Sequence, residues 1–129
     1  MRDFERKPAV SGLFYPNKKE ELLQTLKSLF LDSMFGPGAL PPSKERGKIY
    51  GVVSPHAGYV YSGAVAARAF YELSSSNFDT VIIIGPNHYG IGAEVSTMNE
   101  GNWITPIGKA QIDGELASEI SDHCNNVKV

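Results

Sequence analysis

Cysteine is almost missing from this sequence: Cys124 is the only one in 129 residues. An internal disulfide is therefore excluded, which fits a reducing compartment and gives the expectation of a cytoplasmic protein. A surplus of basic charge is missing as well. The net charge is −2, so the sequence lacks the basic footprint of a nucleic-acid binder. No apolar run approaches the length that crosses a bilayer, and no membrane role is expected. The opening MRDFERKPAV is charged and has no apolar core of a signal peptide. Internal repeats and low-complexity tracts are also lacking. What remains is an ordinary globular composition, 42% apolar and 20% charged. This length predicts a single domain over 1–129 with a core of modest size.

Residues 1–16 read as extended. Asn17 stands where an N-cap would, with Glu20 three residues on in the spacing of a capping box. Leu22, Leu23, Leu26, Leu29 and Phe30 then recur at helical spacing, and Gly36-Pro37-Gly38 stops the helix. Residues 36–47, GPGALPPSKERG, form a loop by composition, inside the domain and free to move. Ile49 to Val53 reads as a short buried strand. Ser62 is placed to cap a helix reaching Leu73, whose alanines suit close packing on a sheet. Thr80 to Ile84 is unbroken in its apolarity, like a strand covered on both faces in a parallel sheet. Strand, helix and strand together have the size of a βαβ unit.

Beyond residue 88 the pattern weakens. Glu94 to Met98 is expected to be a strand and Asn99 to Asn102 a turn. Trp103 to Ile112 reads as extended, broken at Thr105-Pro106-Ile107-Gly108, and Asp113 as the cap of a last helix. The expected fold class is α/β, a mostly parallel sheet with flanking helices.

Two stretches carry the chemistry. SPHAGYVYSG follows the first strand, and VIIIGPNH contains the second; each strand ends in a proline and then a histidine. In a parallel α/β sheet, ligands bind outside the carboxyl ends of the strands. His56 and His88 both lie just past such ends, and a crossover often makes the two strands neighbours. Neutral imidazole is a common metal ligand, so the pair is a candidate metal site. The blander reading is two polar loop residues, because two histidines without a third ligand are a weak signal. His123, beside Cys124, reads as a solvated helix end.

Gly58 and Gly63 leave room for a close approach of backbone or substrate. Their G-x-x-x-x-G spacing is not a P-loop, since Ala64 and Val65 stand where Lys and Ser or Thr are needed. A helix N-terminus near Ser62 and Gly63 still favours an acidic ligand group. Gly58, Tyr59, Ser62, Gly63 and Asn87 make up the candidate ligand-binding set. Tyr59 is also a candidate proton donor beside a metal, although packing is the commoner use of such a tyrosine. Neither Ser54 nor Ser62 has the setting of a nucleophile elbow.

PHAGYVYSG followed by IIIGPNH resembles the Memo family, and SGLFYP at 11–16 and WITPIGKAQIDGEL at 103–116 agree in order. The likeness runs from about residue 8 to 120. It implies an α/β fold similar to class III extradiol dioxygenases, the non-haem iron enzymes that open catechol rings. It implies that His56 and His88 match two metal-ligating histidines, with Fe(II) or copper as the metal and redox, dioxygenase-like chemistry; zinc would point to hydrolysis instead. An alternative within the same resemblance is a non-catalytic module for acidic or phosphorylated peptides. Bacterial and archaeal members are associated with a radical-SAM partner. Family chains are much longer, and their third ligand, a cysteine, falls in the part not matched here; Cys124 does not match its context. The expectation is therefore the N-terminal half of the fold. An open sheet edge would call for the second half, another partner or self-association.

Overall fold

The computed structural model describes residues 4–42 and 47–129. Part of the loop expected over 36–47 lies outside the described residues, as does the start of the expected extended N-terminus. The described residues contain three helices and five short strands, a mixed α/β chain. The chain divides into two compact units, Ala9–Asp79 and a second made of the residues up to Pro8 with Thr80–Val129.

The first unit is built on two helices, α1 (Lys19–Leu31) and α2 (Tyr59–Leu73). The apolar spacing of α1 buries Leu22, only 3% exposed, and α2 contributes Ala67 at 6%. The helices approach closely because Gly63 has no side chain: a Cβ there would lie 2.7 Å from Leu29 Cδ1. After α1, the Asp32 carboxylate accepts from the N–H groups of Met34, Phe35 and Gly36 at 2.9, 2.7 and 3.3 Å. Those bonds hold its carboxyl below the usual range, with the Phe35 N–H the largest cause. The turn they form meets α2 where Arg68 Nε donates to the Phe35 carbonyl at 2.7 Å.

Three local expectations change here. The Asn17–Glu20 capping box is not made: the N-cap is Lys18, with no side-chain cap bond. Ser62 does not begin the second helix, which starts earlier, at Tyr59 behind Gly58. Ile49 to Val53 is not a strand. Its start is held instead by Ser76, whose hydroxyl accepts from the Ile49 N–H at 3.1 Å and donates to the Gly47 carbonyl at 2.8 Å.

The second unit carries the sheets. β1 (Glu5–Arg6) pairs parallel with β3 (Asn102–Thr105), which pairs antiparallel with β4 (Gly108–Gln111). The expected break at Thr105 to Gly108 is the turn of this hairpin; Thr105 Oγ1 donates to the Gly108 carbonyl at 2.9 Å and accepts from the Ile107 N–H at 3.3 Å. Arg6 lies over the Trp103 ring at 4.6 Å, and Lys109 pairs with Glu5. β2 (Val95–Ser96) falls inside the expected third strand and pairs parallel with β5 (Val127–Lys128). Between them runs α3 (Gly114–His123), capped as expected by Asp113, whose carboxylate accepts from the Leu116 N–H at 3.1 Å.

The second expected parallel strand is also missing. Thr80 to Ile84 belongs to no strand, so the expected βαβ unit does not form within the described residues. The physical reason lies in the run itself. A segment apolar on both faces gains little as a strand until a neighbour supplies ladder bonds and cover. Here its side chains stay exposed, Ile84 at 93%, as does Val53 at 100%.

Candidate functional site

His56 stands in the segment Ser54–Gly58, directly ahead of α2, and is exposed. The turn is held from both sides. Downstream, Ser62 Oγ donates to the Ala57 carbonyl at 3.3 Å, and the Gly58 carbonyl accepts from the Tyr61 and Ser62 N–H groups at 2.9 and 3.2 Å. Across the chain, the Tyr59 N–H donates to the Phe14 carbonyl at 2.8 Å. An amide in the first turn of a helix has no partner within the helix, so this acceptor fills a real need.

Tyr59 is half-buried. Its ring lies 5.5 Å from that of Tyr15, tilted by 37°. Burial, with a smaller contribution from Tyr15, raises the Tyr59 phenol above its ordinary value. That makes it a weaker acid than a free tyrosine. Ahead of the Tyr59 helix start lies an open groove lined by Leu13, Phe14, Asn17, Glu21 and Leu29. Gly58 touches this region: a Cβ on it would lie 3.5 Å from the Phe14 carbonyl oxygen, an ordinary contact. Gly63 is buried under Leu29, so helix packing accounts for that glycine without a ligand.

His88 lies in the second unit, exposed, at the start of a turn. Its neighbour Asn87 closes that turn with both ends of its amide, donating to the Ile91 carbonyl at 3.1 Å and accepting from the Gly90 N–H at 3.0 Å. Gly90, at φ +61, supplies the left-handed backbone the turn needs. Asn87 is thus engaged in turn closure. His123 is the last residue of α3, and Cys124 is exposed.

Imidazole suits iron, copper and zinc alike, so both histidines have the right chemistry. They belong to different units. Among the described residues no group of three or more His, Cys, Asp or Glu could hold a metal ion. The described residues therefore do not by themselves make up a complete metal centre.

The sequence did not point to the Ser11–Tyr15 turn as part of this neighbourhood. The Ser11-Gly12 pair, of a kind that marks turns, is a signal for it in the sequence, and Gly12 adopts φ +83 in the structure.

Compared with known protein families, residues 6–129 match the one described as Memo-like protein. Among curated proteins, the chain is 50% identical over 119 residues to a MEMO1 family protein of Methanobrevibacter smithii, covering 89% of this chain and 42% of the relative. A MEMO1 family protein of Nitrosopumilus maritimus is 45% identical over 124 residues, 96% of this chain and 44% of its own. One of Thermotoga petrophila is 48% identical over 120 residues, 90% of this chain and 43% of its own. The chain spans less than half the length of these relatives. No solved structure matches it significantly.

Proposed function

Because the chain belongs to the Memo-like protein family, we propose that it is the part of a Memo-like metal-binding protein that supplies two imidazole ligands, His56 and His88. Iron or copper is the metal this reading favours; zinc is the alternative a titration has to separate from them. When bound, such a metal would supply redox, dioxygenase-like chemistry. The remaining donors come from the portion of the family fold that lies beyond this chain's match. The observation that carries the reading is the family match itself, which spans both histidine motifs. Among the described residues no three His, Cys, Asp or Glu stand together as a metal-holding group, so the reading takes its remaining donors from that other portion.

In the same reading, the complete fold is of the class III extradiol dioxygenase kind, and residues 49–53 and 80–84 become strands of its parallel sheet. Their exposed apolar side chains support this, since a run apolar on both faces suits a covered strand. The partner for those runs is the second part of the family fold.

The test is anaerobic titration with Fe(II), copper and zinc. It compares this chain, its His56→Ala and His88→Ala variants, and the full-length Methanobrevibacter smithii relative with the residues aligned to those two histidines changed singly to alanine. Stoichiometric metal in the longer protein, lost in both variants, is the expected result. Metal binding that ignores both substitutions overturns the reading.

A second reading has one observation behind it. The first turn of α2 holds no acidic residue, so the positive end of that helix dipole faces no side-chain countercharge in its own first turn. A module for acidic or phosphorylated peptides would use it without turnover. Binding of a phosphotyrosine peptide that survives chelation and is weakened by His56→Ala would favour this reading.

A further inference from the structure

We propose that Tyr59 is a positioning residue for His56: paired with Tyr15, it locks the His56-bearing turn onto the Ser11–Tyr15 turn. The inference rests on the reading of His56 as a ligand, and deepens it.

The Ser11–Tyr15 turn is closed by its own bonds. Gly12 donates to the Tyr15 carbonyl at 2.8 Å, and Leu13 and Phe14 donate to the Val10 carbonyl at 3.1 and 2.9 Å. Ser11 and Tyr15 form an isolated bridge. The φ of +83 at Gly12 lies where a side chain would be strained, so the turn depends on glycine. A turn closed in this way is a firm platform, and it turns the Phe14 carbonyl toward the start of α2.

Tyr59 meets that platform twice, through its N–H on the Phe14 carbonyl and through its ring beside Tyr15. The backbone bond alone is a single contact about which the turn can pivot. The ring pair adds a second point and removes that freedom. Aromatic pairs at this separation contribute beyond simple burial. His56 is three residues ahead of this double anchor. Ser62 Oγ on the Ala57 carbonyl closes the interval between them from the helix side. The segment carrying the imidazole is therefore tied at the residues that immediately follow it.

This gives Tyr59 a role different from proton donor. Its phenol is half-buried against Tyr15 and is a poorer acid than usual. The ring can do its work without the hydroxyl, and that separates the two roles experimentally.

The experiment uses the 129-residue chain with four substitutions: Tyr59→Leu, Tyr15→Leu, Tyr59→Phe and His56→Ala. Imidazole NMR signals of His56 and His88 and amide exchange at Tyr59 are read first, then anaerobic Fe(II) and copper affinity. Tyr59→Leu and Tyr15→Leu should each broaden or shift the His56 signals and speed Tyr59 amide exchange by about tenfold or more. His88 should stay as it was, and Tyr59→Phe should behave like the parent. Where metal binds, its affinity should fall by about tenfold in the two leucine variants, as for other residues that orient a ligand. Tyr15→Leu keeps the test alive if Tyr59→Leu fails to fold.

Unmoved His56 signals in both leucine variants overturn the positioning role, even if His56→Ala abolishes metal binding. Moved His56 signals in a chain that binds no metal, beside a full-length relative that also binds none, leave the positioning role standing and remove the metal reading. Loss of order in Tyr59→Phe as large as in Tyr59→Leu overturns the proposal too, since the hydroxyl would then carry the effect.

Discussion

The stretch that packs α1 against α2 and the run Val81 to Ile84 are both rich in apolar residues, yet they end in opposite states. Leu22 and Ala67 are buried between neighbours, and Gly63 is tucked under Leu29. Val81, Ile82, Ile83 and Ile84 are between 61% and 93% exposed. The difference is where each element finds its backbone partners. A helix satisfies its amides within itself and needs a neighbour only for its apolar stripe. A parallel strand needs another strand for its amides and layers on both faces for its side chains. In this chain the first kind of element finds its neighbour, whereas residues 80–84 belong to no strand.

The largest effect that tests this contrast belongs to Leu22→Ala. Truncating a buried leucine removes apolar burial and leaves a cavity, together costing roughly 2–4 kcal/mol. Urea unfolding followed by far-UV circular dichroism measures it. A loss below about 0.5 kcal/mol, the size of an ordinary surface change, would mean that the α1–α2 contact is not a core at all.

A smaller effect concerns α3, whose start was legible in the sequence. Asp113 is held below its ordinary 3.8 by the Thr80 hydroxyl first, which donates to it at 2.6 Å, and by the Leu116 N–H second. A depressed folded value means that the ionised cap stabilises the folded state above the unfolded value. The contribution fades as pH falls below 3.8 and is gone beneath the lowered folded value. The Leu116 amide signal should follow that transition, and Asp113→Asn should abolish it. Asp32 is shifted in the same direction, so a whole-chain signal would mix the two. A Leu116 transition centred at or above 3.8 would contradict the assignment.

What could be read in advance follows the same division. Asp113 as a cap and the break at Thr105 to Gly108 are short-range features; the cap appears as expected, and the break proves to be the turn of the β3–β4 hairpin. The start of α2 was misplaced because its anchor, the Phe14 carbonyl, is distant in sequence and leaves no mark on residues 58–62. Asn17 has the residue type of a cap, but the cap position falls one residue later, on Lys18, and the helix begins at Lys19. The Memo-like identity was legible from the two histidine motifs and holds over residues 6–129. The strands expected at 49–53 and 80–84 do not form, because strand pairing depends on neighbours that no local apolar pattern contains. The same limit applies to the candidate site: the motifs name two imidazoles, and the turn that ties down His56 comes from residues 11–15, read in advance only as extended chain.

The smallest expected effect is the sharpest test of the contrast. Ile83 is 76% exposed in this chain. Ile83→Ser should therefore change its stability by no more than about 0.5 kcal/mol in urea unfolding, because little burial is lost. The matching substitution in the full-length Methanobrevibacter smithii relative should behave quite differently if the run becomes a covered strand there. A hydroxyl placed in a sheet interior loses apolar burial and leaves a cavity, at a cost of about 2 kcal/mol or more. Near-neutral results in both proteins would mean that the run is a surface segment throughout the family, and the proposal of a continued parallel sheet would fall. A large loss in the short chain would show the run already buried in solution, by self-association or by packing. A shift of that loss with protein concentration would identify self-association, since only an oligomer's stability depends on concentration.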